Sequence, residues 1–399
     1  MGDKAIVLSQ CGTLLSGGTP DTSDTRYWGG GIPWITASSI KSKCISSSKR
    51  TLTAEGLRIG SRKVPKGSLI FVVRGMSLKK EFRIGLTTEV VAFGQDCKAL
   101  VPCSGIDSRY LYYALEDRSA EILTLVDEAS HGTGRLQTKL LCALKIRMPK
   151  LEEQRRIVEI LDTVDDQTRI LERAIIKFEA ALRGLHQRLF GKVTWNGWLP
   201  TTQLGNLLIG RPKNGYSPVE SNSWQGGYML GLGCLTAGGF APYQLKMAPR
   251  PDARLRSALL QDGDLLLSRS NTVQMVGLVG RYRSIGFPCY YPDLMMRLIP
   301  GPRIAPGYLE LALRSDPARR QLQTAASGTS GSMVKISGSA VLRVVVPRLG
   351  LPLQRATVAR LEAVANEIAV KRAALGKLRS LRAGLAADLL SGRVRTVGS

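Results

Sequence analysis

Arginine, serine and asparagine stand together in SRSNT (Ser268–Thr272), at the end of a strand-like run that begins at Gly263. A guanidinium grips guanine edges or phosphate with two prongs, an amide suits adenine, and a hydroxyl suits either. Arg269, Ser270 and Asn271 are therefore candidate nucleic-acid contacts, with Lys213 and Tyr216 upstream of them. The first half of the chain carries its own set: Arg26, Tyr27 and Trp28 in RYWGGGIPW (Arg26–Trp34), then Lys41 and Lys43, then Arg74, Lys79 and Lys80. The last three lie in the densest basic stretch, Lys49–Arg83, which has ten bases against two acids. Glycine lets a backbone approach phosphate closely, and an aromatic ring can stack or wedge. Core packing is the competing expectation for Trp28 and Trp34, and a solvated surface for the scattered bases.

Groups that would make and break bonds are scarce. The chain has two histidines: His186 falls inside a heptad-spaced helix, and His131 lies in a Gly/Ser/Thr loop with no nucleophile or metal partner in view. GTGRLQTK (Gly132–Lys139) has the wrong spacing for a phosphate-binding loop. No Asn-Pro-Pro-Tyr or Asp-Pro-Pro-Tyr tetrapeptide of the kind used by amino-methyltransferases occurs, and no paired carboxylates beside a lysine suggest a nuclease. The seven cysteines, at 11, 44, 97, 103, 142, 234 and 289, form no Cys-x-x-Cys pair and read as reduced thiols. No apolar run nears the ~18 residues of a membrane span, and the N-terminus lacks a signal-peptide core. These features favour a soluble, cytoplasmic binding protein without catalytic residues, metal or bound cofactor.

The elements that must position the candidate contacts are written twice. Ile157, Leu161, Val164, Thr168, Leu171, Ile175, Phe178, Leu182, Leu185 and Leu189 step by four and three, which is the spacing of a coiled-coil seam. The same register returns 200 residues later, from Thr357 to Leu389, with seven of ten positions apolar and Lys371 and Arg382 interrupting it. Because the polar exceptions differ between copies, the two helices look like partners. Outside the helices, Gln10, Gly12 and Leu14 align with Gln203, Gly205 and Leu207 at an offset of 193. GSLIFVVR (Gly67–Arg74) aligns with Gly263–Ser270 at 196, and Tyr110 and Leu111 align with Tyr308 and Leu309 at 198.

The expected architecture is α/β (α+β): two similar globular modules and two long helices forming an antiparallel coiled coil with pseudo-twofold symmetry. Its boundaries are 1–148 and 191–346 for the modules, 149–190 and 347–392 for the helices, and a tail at 393–399. Runs such as LIFVV and MVGLVGRY read as strands, and Tyr110–Val126 and Tyr308–Ala325 as helices, while WNGWLP (Trp195–Pro200) reads as a turn closing the first long helix. Net charge is +25, and its distribution is informative: residues 1–149 hold 21 bases and 13 acids, and 191–346 hold 17 and 7. The segment 150–190 has eight of each. Two basic modules separated by a neutral helix suit a polyanion gripped at two places.

Three local patterns carry a family resemblance: GGTPDTSDTRYWGGGIPWITASSI (Gly17–Ile40), MPKLEEQRRIVEILDTVDDQ (Met148–Gln167), and SGTSGSMVKI with VVVPRLGLPLQR. With the duplicated layout, the chain resembles the DNA-specificity subunit of type I restriction-modification systems. The resemblance implies that each module is a target recognition domain reading one half of a split double-stranded DNA sequence. The paired helices would then act as a ruler, since about 40 residues span ~60 Å and one turn of DNA needs ~34 Å. It also implies methyltransferase subunits, two of them, docked on the helices and carrying S-adenosylmethionine, and an ATP-dependent restriction subunit. Glu152, Glu153, Arg155, Arg156 and Glu159 are the candidate docking face. Two other classes compete: a nucleic-acid-binding scaffold indifferent to sequence, and a single-chain modification enzyme with an unrecognised catalytic domain.

Overall fold

The computed structural model describes residues 4–129, 132–191, 199–219, 221–328 and 333–396. His131, residues 195–198 of the expected turn and residues 329–332 of SGTSGSMVKI lie outside the described residues. The chain divides into two compact units, Met1–Glu172 with Ala373–Ser399, and Arg173–Arg372. The division cuts both long helices in mid-course, so each unit owns one module and one half of each helix.

In the first unit a five-stranded sheet runs in the order Gly12–Ser16, Cys97–Pro102, Leu69–Val72, Ile84–Thr87, Cys44–Ile45. Its pairs are antiparallel except the last, and Leu69–Val72 is buried on both faces, as a central apolar run requires. A four-stranded sheet holds Thr51–Leu52, Trp28–Ile35, Val91–Phe93 and Arg62–Val64. Helix Ser108–Asp117 covers the core, capped at its start by the Asp107 carboxylate, which accepts from the backbone N–H groups of Arg109 and Tyr110. The helix expected to reach Val126 breaks at Arg118, resumes over Ser119–Leu123, and gives way to a strand, Val126–Ala129.

The second unit repeats the plan with shorter strands: Lys213–Asn214, Met295–Leu298, Leu265–Ser268, Val279–Arg281 in one sheet, and Leu245–Met247, Tyr228–Leu230, Cys289–Tyr290 in another. Of the run MVGLVGRY only its latter part, Val279–Arg281, is strand. The helix expected over Tyr308–Ala325 is two, Pro306–Leu313 and Asp316–Thr324, parted where Pro317 could not continue a helix.

In each unit the first strand lies antiparallel beside the strand that precedes a long helix: Lys4–Val7 with Lys145–Met148, and Thr201–Gln203 with Val345–Pro347. The long helices span Leu151–Phe190 and Leu351–Ser391. They run antiparallel within each unit. In the first, Glu172 meets Arg379 at 2.7 Å and Asp165 meets Arg382 at 3.1 Å; in the second, Glu179 meets Arg372 at 2.6 Å. Ile157, Val158 and Leu161 join Ala386, Leu389 and Leu390 in the first core, while Phe190 and Leu361 join the second. The seam positions occupied by Lys371 and Arg382 are accommodated locally: Lys371 Nζ lies 5.3 Å from the Phe178 ring centroid, and Arg382 pairs with Asp165 and Glu116.

Candidate nucleic-acid interface

Each module reaches its helices through a cation and a buried glutamine. Lys43 donates to the Tyr113 hydroxyl at 2.6 Å, lies 4.0 Å from that ring's centroid, and pairs with Asp162. Burial alone would raise the Asp162 carboxyl, but hydrogen bonds from Lys43 and Tyr113 outweigh it and hold it below the usual carboxylate range. The second unit repeats the joint with other side chains: Arg281 donates to Glu310 at 2.7 Å and to Glu362, 200 residues beyond Asp162, at 2.7 Å. Lys43, expected on the nucleic-acid side, is therefore committed to this internal joint.

Gln154 and Gln354 are also 200 residues apart and almost wholly buried. Gln154 accepts from Asp107 N at 2.8 Å and donates to Pro149 O at 2.9 Å; Gln354 accepts from Ala305 N at 2.7 Å and donates to Leu349 O at 2.7 Å. Each glutamine thereby satisfies backbone groups at the start of the module helix and at the start of the long helix. Gln154 stands between charged EE and RR, and the sequence signal that sets it apart is the 200-residue match to Gln354 in PLQRA.

Exposed bases gather elsewhere. Arg74 lies on the short strand Arg74–Gly75, opposite Arg135 of Thr133–Leu136, and both are exposed. Beyond them Lys79 pairs with Glu128 at 2.7 Å, and Lys80 and Arg83 line a groove of about 460 Å³ with Ala37, Ser38 and Met76. In the second module the strand Ser270–Asn271 lies opposite Val334–Lys335, with Lys335 exposed in the place of Arg135. Backbone pairing fixes the register: Val73 and Arg74 both donate to Asp96 O, and Arg269 and Ser270 both donate to Leu294 O. Ser270 is thus the counterpart of Arg74, and Arg269 stands one position earlier.

The other expected contacts divide. Arg26 is exposed and held by Asp24 at 2.7 Å; Tyr27 is half-buried beneath its guanidinium; Lys41 and Lys213 are exposed. Trp28 donates its indole N–H to Asp21 O at 2.9 Å and is covered by the Arg50 guanidinium at 3.6 Å, while Trp34 is buried against it edge-on at 5.0 Å. Gly30 serves the protein's own packing, since a Cβ there would stand 2.4 Å from Leu52 O, whereas Gly29, at φ +83°, and Gly31 face open space. Ser270 is fully buried, which removes its side chain from the surface; its hydroxyl and Arg269 Nε find no hydrogen-bond partner among the described residues. Asn271 is half-exposed and accepts from Thr272 N at 2.9 Å, and Tyr216 packs against the second module's core. On the candidate docking face Glu152, Arg155, Arg156 and Glu159 are exposed, but Glu153 is 7% exposed and bound to Arg147 at 2.5 Å.

Sequence reasoning passed over an aromatic ledge in the second module. Trp224 packs on Tyr228 at 4.7 Å and on Phe287 at 5.5 Å, with Trp224 and Phe287 about half exposed. Trp224 follows Trp28 by 196 residues, the offset of the strand match, so the repeat itself held the signal. Among the described residues no helix is long and apolar enough to cross a membrane.

Residues 7–180 match the family described as the type I restriction modification DNA specificity domain. Over 163 residues the chain is 32% identical to the type I restriction enzyme EcoR124I/EcoR124II specificity subunit of Escherichia coli, covering 40% of each. It is 27% identical over 182 residues to the MjaIX specificity subunit of Methanocaldococcus jannaschii, covering 43% of this chain and 41% of the relative. The chain thus spans about 40% of the length of these curated relatives in the matched regions. Among solved structures it is similar to the type I restriction-modification system S subunit from M. genitalium, with a TM-score of 0.58, 14% identity, and coverage of 98% of this chain and 96% of that one. A chain from a structure on complex assembly and conformational transition of the type I system gives 0.56 at 16% identity, with 98% and 97% covered. At these identities the likeness is one of fold.

Proposed function

We infer, from the match of residues 7–180 to the type I restriction modification DNA specificity domain, that the whole chain is the DNA-specificity subunit of such a system. Each module reads one half of a split duplex target, and the antiparallel helices set the gap between the halves. The observation that carries this reading is the duplication of a basic module, each copy fastened to the helix pair at Asp162 or Glu362 and at Gln154 or Gln354. Two weak readers on one strut become one selective reader, because the second contact is effectively intramolecular.

Arg74, Arg135, Lys79, Lys80 and Arg83 form the reading surface of the first module; Arg269, Asn271 and Lys335 form that of the second. Methyltransferase subunits dock on the helices, supplying S-adenosylmethionine and the chemistry, and an ATP-dependent restriction subunit completes the assembly. The exposed Glu152, Arg155, Arg156 and Glu159, together with the exposed apolar Ile170 and Leu381, support the helices as that docking face.

A methylation map of the host genome with and without the gene tests the reading. Loss of one split motif is the expected result, and an unchanged map removes it. Equal affinity of the purified chain for random duplexes at moderate salt would instead favour a scaffold indifferent to sequence, while methylation or cleavage by the chain alone would favour a single-chain enzyme.

A further inference from the structure

In each unit a crevice opens where the module helix meets the long helices, about 610 Å³ in the first and about 580 Å³ in the second. The first closes its own charges. Arg382 sits on Asp165 and Glu116, Arg379 on Glu172, and Lys43 on Asp162.

In the second crevice the equivalent positions have been rewritten: Leu182 stands for Arg382 and Ala365 for Asp165, both at an offset of 200, and Arg314 stands for Glu116 at 198. The cation has changed sides and those two positions have lost their carboxylates, while the crevice's own acids, Glu310 and Glu362, share Arg281. Arg314, its side chain 26% exposed, donates to Ala237 O at 3.3 and 3.2 Å. Its nearest carboxylate, Glu310 at 3.9 Å, already holds Arg281 at 2.7 Å. Arg183 at the rim, in the place of Ala383, has no ion pair among the described residues, and neither does Asp316, which is exposed at the opposite rim. Leu182, Leu311 and Leu361 give the crevice an apolar lining. Burial lowers the Arg314 pKa from its ordinary value, and the Glu310 carboxylate opposes that shift only in part. The volume lies in the range of small-molecule sites.

We propose that this second crevice binds a small organic anion, a phosphate or carboxylate on an apolar body of nucleotide size, held by Arg314 with Arg183 at the mouth. The site is separate from the DNA-reading surfaces and does not depend on their assignment.

Isothermal titration calorimetry on the full chain tests it with adenosine monophosphate, benzoate, inorganic phosphate and adenosine. Adenosine monophosphate or benzoate should bind, the stronger of the two distinguishing phosphate from carboxylate, and adenosine should bind roughly tenfold or more weakly. Ala365→Asp, at an exposed helix position, restores the carboxylate of the first copy and should weaken binding roughly tenfold or more without lowering the melting temperature. Arg314→Gln should do the same to binding. Silence with every charged probe, equal binding by Ala365→Asp, equal affinity for adenosine, or displacement by a short duplex would each overturn the proposal.

Discussion

At the scale of single residues, Arg74 and Arg269 part company although both stand at the end of a matched strand. Arg74 is exposed, whereas Arg269 spends a guanidinium N–H on Asp293 O at 3.3 Å and buries Nε. Arg74→Ala should therefore cost ~1 to 3 kcal/mol of binding at one half-site, with no change in melting temperature. A binding assay on duplexes altered in one half at a time checks it, and equal loss for both halves would reject the assignment. His186 gives a second prediction. Burial against the second module is the main reason its imidazole lies below the ordinary value, with its ring nitrogen 3.2 Å from Leu311 O. A base whose folded pKa is depressed lends stability that is whole above the unfolded value of 6.5 and lost as pH falls through the folded one. Thermal melts from pH 7.5 to 5 should show His186→Gln losing less stability on acidification than the unaltered chain.

At the scale of elements, the glutamine joints deserve the sharpest test because each buried side chain satisfies backbone groups at the starts of two helices. Gln154→Leu or Gln354→Leu should lower stability by about 1 to 3 kcal/mol, read by urea unfolding, since the partners are left unpaired. A change within error for both would mean the joints hold little. The helices themselves were legible: a four-and-three apolar rhythm from Ile157 to Leu189 has one reading, and the helix found is Leu151–Phe190. The modules were less so. Their strands are short, down to two residues at Arg74–Gly75 and Ser270–Asn271, too brief for alternation to register. Lys43 was misplaced for another reason: its partners lie 70 and 119 residues away, and a lysine's fate depends on whether a carboxylate comes within reach after folding. Within a helix, spacing announces which face is buried; across a fold, no spacing announces a pair.

At the scale of the whole molecule, the proposed gap between half-sites is a matter of helix length. Seven residues inserted after Thr168, matched by seven after Arg382 to keep the helices paired, add about 10 Å at ~1.5 Å per residue. The permitted gap should lengthen by about three base pairs at ~3.4 Å each, read from the methylation motif. A gap that stays the same would end the ruler idea. The strands that begin and close each module have their own consequence. Lys4–Val7 lies against Lys145–Met148, and Thr201–Gln203 against Val345–Pro347, so the chain enters and leaves each module through adjacent doors. A gene splice made at those two strands could exchange everything between them for foreign sequence and leave the rods uncut, making each reader a cartridge in a fixed holder.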